Sequence, residues 1–178
     1  MGPPSVRSFA SGVRVRPGFS AGRRRAPFFR GVARVARLRE AADSWIGTPF
    51  RKHQRVKRAG VDCVQLAGAI YIECGALSAF HPGPYALDGG FHGIHSQVIH
   101  WLERQDEFER VNPPHQPGDL LTFRMGRFPH HVAILLDGLD FVHCVRFNGG
   151  VRINSLVDST WNRRLDAVFR PVQWEVIP

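Results

Sequence analysis

The change of hydrophobic period along the chain restricts its fold more than any other feature. Apolar residues follow helical spacing in the first part, and after Pro117-Gly118 they fall into short apolar runs divided by turn signals. The runs are residues 119–124, 131–136, 141–145, 151–155 and a late 167–172. Gly126, Asp137-Gly138 and Asn148-Gly149-Gly150 separate the first four. Upstream, Val35, Leu38, Ala42, Trp45 and Ile46 predict a helix over 34–46, stopped by Gly47-Thr48-Pro49. Val64, Leu66, Ala67, Ile70 and Tyr71 predict a second over 63–74, ended by Gly75, and residues 94–104 read as a third. Residues 50–61 read as a polar loop and 78–93 as irregular, and no internal repeat is present. Helices first and a meander second predict an α+β domain, with helices packed on one face of an antiparallel sheet.

With 178 residues and 43% hydrophobic content, the chain suits one domain with a sizeable core. Its net charge of +9 suggests a nucleic-acid binder, but the charge is unevenly placed. Residues 1–39 hold ten of the 24 basic residues, all arginine, and no acidic residue. The remaining 14 face 15 acidic residues, so residues 40–178 carry net −1. Residues 1–31, rich in Gly, Pro, Ser and Arg, are expected to be a disordered basic arm, with the functional domain over 32–178. A solvated tail or mis-assigned start, electrostatic attachment to an anionic partner, and an organelle transit segment all fit such an arm.

No apolar run approaches the ~18 residues of a membrane span, and arginines interrupt every candidate signal-peptide core. Three cysteines, Cys63, Cys74 and Cys144, are an odd number for a disulfide framework. On one helix, Cys63 and Cys74 lie about 16 Å apart at ~1.5 Å per residue, too far to bridge. A reduced, intracellular site of synthesis, without a signal peptide, is the expectation.

Cys63 stands where chemistry is expected. It opens the helix over 63–74, with Asp62 as N-cap and Gln65 placed to reach back as in a capping box. The unsatisfied amides and dipole of that helix end favour thiolate. His131 opens an apolar strand and His143 lies inside the next one, able to supply a base and the group that orients it. The plain alternatives are a small buried cysteine, a polar strand end, and a histidine bonded to a buried carbonyl. Cys74 reads as structural, and Cys144, of opposite strand parity to His143, as core or surface. His130 and His131 also have opposite parity, so at most one faces Cys63. Zinc ligand types are present, but no C-x-x-C or H-x-x-x-H pair, and no phosphate-binding glycine motif occurs. No metal or cofactor is expected.

Thr48-Pro49-Phe50 with His53-Gln54, then Asp62-Cys63, then 117–123, 131–135 and Phe141-Val142-His143 resemble the NlpC-type cell-wall cysteine peptidases. The likeness covers residues 34–172. Its His-Gln pair, and the late Trp161, Arg163-Arg164 and residues 167–171, resemble the branch associated with phage and prophage tails and gene-transfer particles. The resemblance implies a compact papain-like fold. It also implies Cys63 as nucleophile, His131 as general base and acid, and His143 as polar third member, with Asp62, Val64, Phe50 and Gln54 supporting the oxyanion and substrate. The implied reaction is hydrolysis of amide bonds in peptidoglycan stem peptides, typically between D-γ-glutamate and a diamino acid. Implied too are tail proteins as partners, delivery in a tail to the periplasm or wall, a monomeric state, and no specific nucleic acid. Three departures stand out: Val64-Gln65 where Ser-Gly is usual, Phe50 where a tyrosine is usual, and the absence of the Gly-Gly of the bacterial family members. They leave open a second class, a weak or inactive tail component that binds cell wall or a tail protein.

Overall fold

The structure, a computed structural model, describes residues 23–87, 96–126, 128–146 and 149–176. Strand β1 (Arg23–Pro27) leads into helix α1 (Val32–Trp45), and a short hairpin of β2 (Arg55–Val56) and β3 (Gly60–Val61) precedes helix α2 (Cys63–Cys74). Helix α3 (Gln97–Leu102) and strand β4 (Phe108–Val111) follow. Then come β5 (Leu120–Arg124), β6 (Pro129–Asp137), β7 (Asp140–Val145), β8 (Gly150–Ser155), helix α4 (Ser159–Asn162) and the long β9 (Leu165–Val176).

The main sheet runs β1-β9-β5-β6-β7-β8, with β4 also paired to β9, and every pairing in it is antiparallel. This is the expected α+β architecture, with one addition: both faces of the sheet are covered. Val132, Ile134 and Leu136 pack with Val142, Cys144 and the α1 and α2 side chains Leu38, Trp45, Leu66 and Ile70. The alternate residues Ala133 and Leu135 pack with Phe123, Phe141, Leu156 and Trp161 on the other side. A strand buried on both faces reads as a continuous apolar run, as 132–136 does. α2 is almost wholly apolar and buried, and each of its large aliphatic side chains contributes about 1.5–3 kcal/mol by leaving water.

The sequence expectation of a disordered arm through residue 31 is corrected over residues 23–31; residues 1–22 lie outside those described. Arg23 to Pro27 pair with residues 172–176 of β9 through the backbone, with Arg24 paired to Glu175 and Arg25 stacked on Trp174. Phe28 and Phe29 are buried in the core, and Arg34 lies over the Phe28 ring at 4.3 Å. Phe29 fills the space over Gly118, where a Cβ would come within 2.0 Å of the ring, and φ of +87° there suits glycine. The folded domain therefore starts before Val32.

Smaller differences follow from local chemistry. The loop over 50–61 contains the β2–β3 hairpin. The third helix is shorter than expected, being capped by Ser96, whose hydroxyl accepts from Ile99 N at 3.2 Å, and residues 88–95 lie outside those described. β4 and α4 were not expected. Among the described residues no helix is long and apolar enough to cross a membrane.

Two contacts position the site. The Thr48-Pro49 backbone docks on the start of β8: Gly47 N donates to Val151 O at 3.0 Å and Val151 N to Thr48 O at 2.9 Å. Gly150 permits this approach, since a Cβ there would lie 2.0 Å from Thr48 O. Phe50 is thereby set at the edge of the cleft that α2 and the sheet share.

Candidate active site

Cys63 is the first residue of α2, and Asp62 caps that helix as expected. The buried Asp62 carboxylate accepts three hydrogen bonds: from Gln65 N at 2.9 Å, His53 N at 2.6 Å and the Tyr85 hydroxyl at 2.8 Å. The return arm of the expected capping box is not used, because the Gln65 side chain meets the Tyr85 hydroxyl. Tyr85 also packs edge-on against the His53 ring at 4.7 Å.

The expected thiolate is corrected by the surroundings of the sulfur. Burial, then the adjacent Asp62 charge, push the Cys63 thiol up to about 12. The backbone amides of Val132, Val64 and Cys63 act in the opposite direction but do not prevail. Desolvation outweighs the helix end because the site is enclosed.

His131 and His143 face each other on adjacent strands. His131 Nε2 lies 2.9 Å from His143 Nδ1, and both rings are buried. Asn154 on β8 completes the line. Trp161 Nε1–H donates to its side-chain oxygen at 3.0 Å, while its nitrogen donates to Ile153 O at 3.1 Å and to His143 Nε2 at 3.2 Å. In that orientation His143 carries its hydrogen on Nδ1 and donates to His131 Nε2. With the amide turned over, its oxygen accepts from His143 Nε2–H at the same 3.2 Å, and the line of donors runs the other way, from His131 outward. Trp161 lies edge-on over His143 at 4.7 Å and tilted over His131 at 5.7 Å.

Both histidines are held toward the neutral form. Burial, followed by the positive fields of His143 and His130, holds His131 well below its ordinary value. Burial holds His143 down to about 4, with Asn154's hydrogen bond raising it and Arg152 lowering it.

Cys63, His131 and His143 line one cleft of about 580 Å³, together with Phe50, Leu87, Met125, Asn154 and Trp161. The sulfur sits against the amide of Val132, the residue after His131. A thiol at a helix start, two linked imidazoles and a half-buried amide on their far side thus converge from α2, β6, β7 and β8. A sequence profile of the NlpC/P60 family matches residues 47–170, a span containing all of them.

The chain belongs to the NlpC/P60 family.

No curated protein matches the chain. Solved structures share its fold. A lipoprotein-like NLP/P60 family protein from Staphylococcus aureus superposes with a TM-score of 0.58 at 21% identity, over 83% of this chain and 44% of that one. The NlpC/p60 domain of the peptidoglycan hydrolase SagA gives 0.51 at 20%, over 75% of this chain and 96% of the other. An NLPC/P60 family protein from Bacillus cereus gives 0.54 at 21%, over 81% and 40%. The chain therefore spans less than half the length of the Staphylococcus and Bacillus proteins. The likeness establishes the papain-like α+β fold of NlpC/P60 domains for this chain.

The supporting residues of this NlpC/P60 domain are placed unevenly. Phe50 lines the cleft, Val64 offers its amide to the Cys63 sulfur, and Asp62 holds the helix start. Gln54 is exposed and does not line the cleft; its side chain lies over Gly60 of the β2–β3 hairpin. Its partner in the His-Gln pair acts through the backbone, His53 N to Asp62. Cys74 is buried, with its thiol directed at Arg37 O. Cys144 is buried too, donates to Val61 O at 3.2 Å and reaches the cleft lining. Sequence reasoning missed Asn154, Tyr85 and the stacking of Trp161. The Asn148-Gly149-Gly150 turn signal in the sequence bore on Asn154, because the β7–β8 register sets Phe141 opposite Asn154, next to His143.

Proposed function

We propose that the protein is a cysteine endopeptidase that hydrolyses amide bonds in the peptide stems of peptidoglycan. The observation that carries this reading is the 2.9 Å contact between His131 Nε2 and His143 Nδ1 in a cleft shared with Cys63. That contact leaves His131 Nδ1 as the ring nitrogen available to the thiol. The peptidoglycan hydrolase in which this fold occurs supports the choice of substrate.

In this reading the nucleophile is generated during the reaction rather than stored. The Cys63 thiol gives its proton to His131 Nδ1 as sulfur attacks the amide carbon. His131 then donates at Nε2 to His143, and His143 at Nε2 to the Asn154 oxygen, so the productive direction of the relay is the outward one. The oxyanion faces the amides of Cys63 and Val64 at the helix start. His131 returns its proton to the departing amine as the C–N bond breaks, leaving a thioester. Water, losing a proton to His131, then adds to the thioester carbon, and the sulfur leaves with that proton.

The bond proposed is that between D-γ-glutamate and a diamino acid, and the site of action is the periplasm or wall, reached from a phage-like tail. These finer points rest on the resemblance of the Thr48-Pro49-Phe50, His53-Gln54 and C-terminal segments. Digestion of purified peptidoglycan by wild type and Cys63→Ala, read by mass spectrometry, tests the reaction and names the bond. New stem-peptide termini that depend on Cys63 are expected; equal release by Cys63→Ala ends the proposal. The raised thiol pKa favours one second reading, a wall-binding module with a vestigial site. Sedimentation of both proteins with the wall, without release from either, would decide for it.

A further inference from the structure

We infer that the cleft selects peptides carrying free carboxylates beside the scissile amide, through an arginine wall formed by Arg152 and Arg164 with Arg146. This inference rests on the hydrolase reading and names its substrate class more narrowly. All three arginines line the cleft, and among the described residues no aspartate or glutamate does. The body of the protein gives no such bias, since residues 40–178 carry net −1. A wall of one sign on a chain of balanced charge is a local arrangement.

The arginines come from three elements. Arg152 on β8 stands directly across from His143 on β7, and Asn154, two residues on, shares its face. Arg152 is near enough to His143 to depress its pKa. Arg146 directly follows β7. Arg164 follows α4, and its guanidinium reaches Met125, another lining residue, with Nη1 3.6 Å from Sδ. Of the acidic residues flanking Arg164 in sequence, Asp158 caps α4 and also lies within the fields of Arg163 and Arg164, and Asp166 pairs with Arg124.

A guanidinium fork matches a carboxylate in two parallel hydrogen bonds, and a carboxamide cannot take both. The wall therefore distinguishes a stem peptide with free glutamyl and diamino-acid carboxylates from one in which they are amidated.

The test uses two synthetic peptides, L-alanyl-γ-D-glutamyl-diaminopimelate and the same peptide amidated at its glutamyl α-carboxyl and diaminopimelate carboxyls. Wild type should show a kcat/KM at least roughly tenfold higher for the acid, the value of one charge-assisted hydrogen bond. Arg152→Gln and Arg164→Gln should each lower kcat/KM on the acid by roughly ten- to a hundredfold and collapse the acid-to-amide ratio. Arg152→Lys should keep part of the ratio, and added salt should shrink it. Both side chains are at the surface, so unchanged melting temperatures confirm intact folding. Equal cleavage of the two peptides by wild type, or an undiminished ratio in both glutamine variants, overturns the inference while leaving the hydrolase reading intact. If neither peptide is cut, calorimetric titration of wild type decides. Tighter binding of the acid keeps the arginine wall while the hydrolase reading fails; equal binding or none overturns the wall.

Discussion

Asn154→Asp is the substitution that most directly tests the histidine relay. The wild-type amide sits 3.2 Å from His143 Nε2, and His143 titrates at about 4 because its ring is buried and Arg152 stands opposite. A carboxylate in the same place offers two acceptor oxygens, one for Trp161 Nε1–H and one for His143 Nε2–H. The relay is then held in the outward direction. At 3.2 Å and an effective dielectric constant of about 20, the attraction between carboxylate and imidazolium is about 5 kcal/mol. Burying the new charge takes back part of this, and neighbouring opposite charges commonly shift a pKa by about 1–3 units. The His143 value should rise from about 4 to roughly 5–7.

The sign of the kinetic effect follows. Protonated His143 has no lone pair to receive the His131 Nε2–H, so the relay fails below its pKa. The acidic limb of kcat/KM, reporting the pair as a unit, should therefore move to higher pH by about 1–3 units in Asn154→Asp. Asn154→Leu supplies the control: it removes a hydrogen bond that raises the His143 pKa, so the limb should not move up, while the rate falls. Imidazole NMR titration of each variant gives the same pKa values independently of turnover. A folded Asn154→Asp protein whose limb and imidazole shifts coincide with wild type would refute the relay.

Further outcomes follow from the same structure. Alkylation of Cys63 by iodoacetamide should rise through pH 8 and above with no plateau between pH 5 and 7, because burial and Asp62 hold the thiol up; a low-pH plateau would show a stored thiolate. His143 is neutral when folded and binds protons more readily when unfolded, so stability should be lost as pH falls from 6.5 toward 4, by up to about 3 kcal/mol. Thermal melts of His143→Gln should lack that part of the acid sensitivity. A chain beginning at Val32 should melt well below one beginning at Arg23, since each buried phenylalanine removed costs about 3–5 kcal/mol. Asp119→Ala should cost about 3–5 kcal/mol in chemical denaturation, because it strips both 2.8 Å bonds from the Arg170 guanidinium.

What was legible in the sequence had a period or a cap. The apolar run after His131, the turns at Asp137-Gly138 and 148–150, and the Asp62 cap placed β6, β7, β8 and α2 nearly to the residue. β1 was hidden because its three leading residues are arginines; the strand exists through backbone pairing to β9, which no local pattern reports. β4 and α4, each four residues long, are too short for periodicity to mark. In the site, Cys63, His131 and His143 were visible as types in order, and the structure brings them to one cleft. Asn154 and the arginines were not, because their place depends on which strands become neighbours. Gln54 stood out in the sequence and is absent from the cleft lining, since its loop turns at His53, where φ is +57°.

The thiol shows why a local electrostatic argument can reverse in the folded chain. The helix start does aim backbone amides at Cys63, and that alone favours thiolate. The same cap that builds the helix start places the Asp62 carboxylate beside the sulfur. Asp62 is buried, and its carboxylate accepts from the His53 amide, the Gln65 amide and the Tyr85 hydroxyl. The His53 and Tyr85 donors tie the loop after Thr48-Pro49-Phe50 and the segment carrying Tyr85 to the head of α2. The charge that organises the site thus opposes early ionisation of the Cys63 thiol. A base of depressed pKa, linked through His143 to an amide that can face either way, suits a site in which the proton leaves sulfur only as the new bond forms.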